Sequence, residues 1–139
     1  MALGNYTVPN LLITVNGRRI TDWGSNAQPF SHSPIDPKRS LVRGLGGKAI
    51  VTGRTNPGRE VNFHILPGTP DSKYLNTLME TGAQIVLTMT QVGTGEKMIG
   101  MEGVFVNDGM SGRAGVDTNV SDDHFIAHFN KWIPQKGGE

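Results

Sequence analysis

The segment from Pro29 to Arg59 constrains this chain more than any other feature. It is long, basic and punctuated by Gly and Pro, and it interrupts a sequence that otherwise reads as a compact β-rich domain. Pro29, Pro34 and Pro37 each bias the residue before them to extended conformations, so no regular helix can cross this stretch. Lys48 to Thr52 reads as a short strand between Gly46-Gly47 and Gly53, and Asn56-Pro57-Gly58 reads as a turn. Together they suggest a projecting hairpin at the end of a long loop. Phe30, Ile35, Leu41, Val42 and Leu45 lie among Pro, Ser and charges in a segment not expected to fold back as core. Apolar groups on a projecting loop mark protein contacts. The competing expectation is that they cover one end of a barrel. A small domain keeps so long an excursion when it binds something or orders against a partner, and the partner expected here is another copy of the chain.

The remaining sequence patterns as strands with one helix. Leu11 to Val15 is rich in β-formers, and Asn16-Gly17 supplies the positive φ angles of a type I′ turn before a second strand over Arg18 to Trp23. From Arg59 to Leu66, Val61, Phe63 and Ile65 alternate with Glu60, Asn62 and His64, which predicts one core face and one polar face. Pro67-Gly68 stops that strand. Thr69 is placed as N-cap, Pro70 at the first helical position and Asp71 where it favours the dipole. Tyr74, Leu75, Leu78 and Met79 form the helix's apolar stripe, and Gly82 stands at its C′ position. Ala83 to Val92 and Lys97 to Val106 predict an antiparallel hairpin across Gly93-Thr94-Gly95. Met110 to Asn119 is weakly patterned. Asp123 to Trp132 alternates Phe125, Ala127 and Phe129 against His124, Ile126 and His128. The expectation is one domain over residues 1–139, mainly β, an antiparallel β-sandwich or small barrel with one flanking α-helix, a long projecting loop or hairpin over 29–59 and a flexible polar tail over 134–139.

The 139 residues carry 19 Gly and 8 Pro, which are costly inside helices and useful at turns and bulges. Net charge is +1, so there is no global attraction to nucleic acid or membrane. The distribution is uneven. Up to Glu60 there are eight Lys and Arg against three acids, and from Val61 onward five against nine, so one end of the sequence could complement the other across a head-to-tail contact, the competing expectation being segregation by chance. With no cysteine, disulfides, thiol catalysis and Cys-ligated metal or iron–sulfur centres are excluded. The N-terminus lacks a signal-peptide pattern and no apolar stretch approaches a membrane span, so a soluble, unprocessed protein without membrane contact is expected.

The search for chemistry eliminates more than it finds. The glycines around Lys48 do not form a phosphate loop, because Ala49 follows the lysine and Val42 occupies an earlier glycine position. His124 and His128 share a strand face beside Asp122 and Asp123, but residues four apart on a strand are separated by roughly 13 Å, too far to hold one ion together. His64 and His32 have no better company. No serine elbow or Ser-x-x-Lys motif occurs, and no carboxylate pair is marked as acid and base. Neither enzymatic activity nor a cofactor or metal is expected. Lys38, Arg39, Arg43, Lys48, Arg54 and Arg59 form a basic set able to meet phosphates, as in small β-barrels that bind single strands, yet the nearest aromatic for base stacking is Phe30.

The order of parts, carried by NLLITVNGRRITDWG, SPIDPKRSLVRGLGGKA, NPGREVNFHILPGTPDSKYLNTLMETGA and VGTGEKMIGMEGVFVNDG, resembles the tail tube proteins of contractile-tailed bacteriophages and, more distantly, the tubes of related injection machines. The resemblance covers nearly the whole chain and is architectural rather than chemical. It implies a structural virion subunit, assembled in the bacterial host cytoplasm as hexameric rings that stack head to tail. Such rings form a channel for DNA inside a contractile sheath, with tail sheath, tape measure and baseplate proteins as partners. It further implies that Pro34, Ile35, Asp36, Pro37, Arg39, Leu41, Arg43, Leu45 and Lys48 lie at the subunit or ring interface. Ile35, Leu41 and Leu45 would be apolar anchors there, and Arg39 and Arg43 would pair with acids. Glu60, Glu96 and Glu102 are the candidates for acidic charge at the lumen or rim. Two alternatives stand beside it: a small β-barrel binding module for single-stranded nucleic acid, and another virion part such as a baseplate or terminator protein.

Overall fold

A computed structural model describes residues 11–25, 28–53, 57–92, 94–109 and 121–136. The weakly patterned Met110 to Asn119 stretch lies outside the described residues, as do Arg54, Asn56 and Gly93. The architecture is mainly β and antiparallel with one helix. Strand β1 (Leu11–Val15) turns through Asn16 (φ 50°) and Gly17 (φ 84°), the pair of left-handed residues that a type I′ turn demands, into β2 (Arg18–Arg19). The sequence pattern runs the second strand on to Trp23, but β2 ends at Arg19. The amides of Thr21 and Asp22 leave the ladder to donate to the Asp71 carboxylate at 2.7 and 3.0 Å. Trp23 then bridges to Ile65 at the far side of the sheet.

Strands β3 (Phe30–Pro34), β6 (Arg59–Ile65), β7 (Ile85–Gln91), β8 (Glu96–Asp108) and β9 (Asp123–Gln135) complete a seven-stranded sheet in the order β2-β1-β7-β8-β9-β6-β3. Two strands, β4 (Arg39–Arg43) and β5 (Ala49–Gly53), form a separate hairpin. Helix α1 (Pro70–Thr81) lies between β6 and β7. The sheet is sandwich-like, and no closed barrel forms among the described residues. Its curl brings the chain after β2 back to β6, where the Gly24 amide donates to the His64 carbonyl at 2.9 Å and the Leu66 amide to that of Asp22 at 2.9 Å.

Alternation decides which face is buried. Val61, Phe63 and Ile65 on β6, Ile85 and Leu87 on β7 and Phe129 on β9 are fully buried in one cluster with Ile13 and Val15. Each such side chain stabilises the fold by about 1.5–3 kcal/mol. Helix α1 adds the fully buried Leu75 to the cluster. Thr69 accepts from the Ser72 amide at 3.4 Å as N-cap, and Gly82 (φ 66°) ends the helix in a left-handed cap whose amide reaches Met79 O at 3.2 Å.

The structure corrects the sequence reading in two further places. Phe30–Pro34 is not part of a free excursion, because β3 pairs with β6 from Phe30↔Phe63 to Pro34↔Arg59. Phe30 consequently packs against the core, and Pro34 sits on an edge strand, where its missing N–H costs no ladder bond. The final strand also runs further than Trp132. Pro134 pairs with Met98 and Gln135 with Lys97, so the start of the expected tail is strand, and residues 137–139 lie outside the described residues.

Candidate assembly surface

The β4–β5 hairpin leaves the sheet at Pro34 and returns at Arg59. Its root is held by the Ile35 amide to Gly58 O (3.4 Å) and the Asp36 amide to Pro57 O (3.2 Å). Beyond Pro37 the two strands pair from Arg39↔Gly53 to Arg43↔Ala49, and the Gly44 amide closes the turn onto Lys48 O at 2.7 Å. Opposed residues share a face, so Leu41 and Val51 lie on one side of the ribbon, and Val42 and Ile50 on the other. All four are exposed, at 63%, 65%, 51% and 64%, and Leu45 at the tip is fully exposed. A strand that lies on a core shows one apolar face, whereas this ribbon is apolar on both. An isolated two-stranded hairpin is at best marginally stable in water. Lys38, Arg39, Arg43 and Lys48 put positive charge on it, and none of these four forms an ion pair among the described residues.

Of the residues assigned to the interface from sequence, Arg39, Leu41, Arg43, Leu45 and Lys48 therefore belong to the projecting ribbon. Pro34, Ile35, Asp36 and Pro37 form its root, with Ile35 still 42% exposed. A second apolar patch lies on the sheet face opposite the core. Ile99 and Ile133 are cross-strand partners on β8 and β9, 39% and 53% exposed.

The three candidate acids are not gathered in one subunit. Glu60 on β6 is half-buried opposite His128. Glu102 sits at a bulge in β8 with φ 54°, accepts from Asn130 Nδ2 at 2.7 Å and pairs with Lys131 Nζ at 3.4 Å. The Asn130 and Lys131 donors hold its carboxyl below its ordinary value. Glu96 opens β8 opposite Gln91, beside Lys97 at the Gln135 end of β9, whereas Glu60 is level with His128 in the middle of that strand.

Two polar constellations were not read from sequence. Asp71, placed there only as a favourable helix-dipole residue, is 3% exposed and accepts from five donors. These are the amides of Thr21 and Asp22, the Thr21 hydroxyl at 3.4 Å, and Arg18 through Nε at 3.2 Å and a terminal nitrogen at 3.1 Å. Burial pushes its carboxyl up, but the two amides and Arg18 together outweigh this and leave it below the ordinary value. The arrangement ties the first turn of α1 to the chain after β2. The second is a cross-strand pair: His64 and His124 face each other on β6 and β9 with ring centroids 4.3 Å apart, and His124 Nε2 lies 2.8 Å from Asn62 Oδ1. Burial, then the neighbouring His64, lowers the His124 pKa, and Glu60 opposes the shift. Alternation in both strands had placed these histidines on polar faces, but only the β6–β9 register brings them together. Among the described residues no group of three His, Asp or Glu is placed to hold a metal ion.

No protein-family model and no curated protein matches the chain. Solved structures do. A chain of the sheath/tube terminator of an extracellular contractile injection system, PVC, in the extended state, superposes with a TM-score of 0.61 at 12% identity, covering 97% of this chain and 99% of that one. The tube-terminating cap of the anti-feeding prophage gives 0.60 at 11% identity over 99% and 95%. A chain of the PVC sheath–tube complex in the extended state gives 0.59 at 11% identity over 95% and 92%. At these identities the shared property is the fold, along essentially the full length of each chain.

Proposed function

We propose that this chain is a structural, non-enzymatic subunit of a contractile tail or injection machine that builds its tube. On this reading hexameric rings stack head to tail into a channel for DNA inside a contractile sheath, with sheath, tape measure and baseplate proteins as partners. The observation that carries the proposal is the β4–β5 ribbon, apolar on both faces and exposed at Leu41, Val42, Leu45, Ile50 and Val51. Burying those five side chains against a neighbouring subunit supplies about 5–10 kcal/mol before the cost of association. A ribbon that docks on a different surface of the next copy makes a heterologous contact, which propagates instead of closing. Arg39 and Arg43 then meet acids of that copy, and Glu60, Glu96 and Glu102 contribute negative charge at lumen or rim, where like-charge repulsion keeps DNA from adhering. The full-length likeness in fold to chains of a sheath–tube complex and of terminators is consistent with this role.

A second reading is favoured by a specific observation: two of the similar structures are a terminator and a cap. In that case the chain ends a tube instead of elongating it. Negative-stain electron microscopy with solution mass separates the two, since a tube subunit gives stacked rings of variable length and a terminator gives single rings. Leu41→Asp combined with Leu45→Asp is expected to abolish stacking with unchanged circular dichroism. Tubes of normal length from that double variant would refute the role given to the ribbon.

A further inference from the structure

A small cavity opens at the root of the ribbon, about 120 Å³ in volume, between β3, β6 and the ends of β8 and β9. Its polar lining comes from His32, Lys38, Arg59, Trp132 and Lys136, and no carboxylate of the described residues lines it. Arg59 Nε donates to His32 Nδ1 at 3.0 Å, which puts the imidazole proton on Nε2 and makes that nitrogen a donor as well. The Trp132 indole N–H is buried and has no hydrogen-bond partner. Lys38, Arg59 and Lys136 form no ion pair among the described residues. Every side-chain polar group around the cavity that is not already engaged is thus a donor, and three of the residues are cationic. Burial lowers the pKa of Arg59, and burial followed by Arg59 and Lys136 holds His32 at about 4, so the site remains short of negative charge rather than relieving it internally. An oxyanion entering the cavity meets cationic side chains that have no counter-charge among the described residues.

Size and wall chemistry select the kind of oxyanion. Met98, Pro134 and the Trp132 ring give the cavity apolar sides, which suit the methylene stem of an acidic side chain. A strand phosphate carries a sugar on both sides and does not fit a cavity of about 120 Å³. We propose that the cavity receives the carboxylate of an Asp or Glu side chain from a second copy of this chain, a step that rests on the assembly reading above. The part of the sequence up to Glu60 carries an excess of Lys and Arg and the part from Val61 an excess of acids, so a second copy offers carboxylates to this basic site. The cavity also stands beside the ribbon whose apolar residues meet that copy. Glu80 at the end of α1 is exposed, has no ion-pair partner among the described residues and is one acid free to fill it.

The test has two arms, so that failure of the cavity and failure of the assembly reading are told apart. In the first, the unassembled wild-type chain is titrated with sodium acetate against sodium chloride at matched ionic strength, and in parallel with inorganic phosphate. The two indole N–H resonances are followed by NMR, with Trp23 as the control. The expected result is a saturable shift of the Trp132 resonance with acetate, lost in Arg59→Gln and weakened in the exposed-site variant Lys136→Gln. No acetate-specific shift overturns the proposal whether or not rings form, and a shift with phosphate alone overturns the carboxylate assignment. In the second arm, Arg59→Gln and Trp132→Phe are expected to raise the concentration needed for assembly about tenfold, the equivalent of one lost charge-assisted contact. Acetate binding with unchanged assembly of these variants overturns the second copy as the occupant. Acetate binding by a wild-type chain that never forms rings overturns both the assembly reading and that occupant.

Discussion

Replacing Asp71 by Ala removes the one carboxylate that holds α1 to the chain after β2, and the geometry separates its contributions. Two backbone amides, Thr21 and Asp22, lose their acceptor at 2.7 and 3.0 Å while remaining part-buried. An orphaned buried donor costs about 1–3 kcal/mol. Arg18 loses its ion pair, but its side chain is 44% exposed, so screening limits that contribution to about 1 kcal/mol or less. Asp71→Ala is therefore expected to destabilise the fold by about 3–5 kcal/mol. Asp71→Asn keeps one oxygen for the amides but turns an N–H₂ toward the Arg18 donors, and should cost about 2 kcal/mol. Arg18→Ala should cost about 1 kcal/mol, including its placement 4.9 Å above the Tyr74 ring. Urea unfolding of the unassembled chain, followed by tryptophan fluorescence, measures all three, since Trp23 stacks on the core residue Phe63 at 6.4 Å. The pH dependence is a second readout. The Asp71 carboxyl is held below its ordinary value of 3.8, so its stabilisation is complete above that pH and is lost as pH falls below it through the folded value. The gap between wild type and Asp71→Ala should narrow accordingly in acid. An Asp71→Ala penalty no larger than that of Arg18→Ala would refute the reasoning, because the amides would then have found water or another acceptor.

Gly103→Ala places a Cβ inside the ring of Phe129, which is fully buried, and should destabilise by about 1–3 kcal/mol in the same urea assay. His32 is held at about 4 against an ordinary value of 6.5, so the stability it contributes as a neutral ring is present above pH 6.5 and is lost between there and about pH 4. His32→Gln should flatten the stability profile in that window, with little change below it. Thr69→Ala removes the N-cap oxygen that accepts from Ser72 and donates to Leu66 O at 2.7 Å, and a loss of about 1 kcal/mol is expected on thermal or urea unfolding.

Legibility followed the range of the physics. Helix α1 was visible from Thr69, Pro70 and Gly82 because capping acts over one turn of chain, and the structure places the helix at Pro70–Thr81. The core faces of β6 and β9 were visible because alternation is a local pattern that one buried face enforces, and Phe63 and Phe129 are both inside. The ribbon was legible as a hairpin with exposed apolar residues, but its start was not. Phe30–Pro34 carries two serines and a proline, and joins the sheet only because β6 offers an unpaired edge. Likewise β9 continues through Pro134 because β8 is long enough to pair with it.

From sequence alone came the bounds of α1, the core faces of the alternating strands and the exposed apolar residues of the ribbon. Those properties depend on neighbours a few residues apart. Long-range contacts bring together what the pattern leaves apart: His64 onto His124, Asp71 onto the amides of Thr21 and Asp22, and the cluster of Arg59, His32, Trp132 and Lys136 at the ribbon's root. Each joins groups contributed by segments far apart in the chain, and no local pattern encodes such a meeting, because strand order and pairing offset are set by how the whole sheet buries its apolar face.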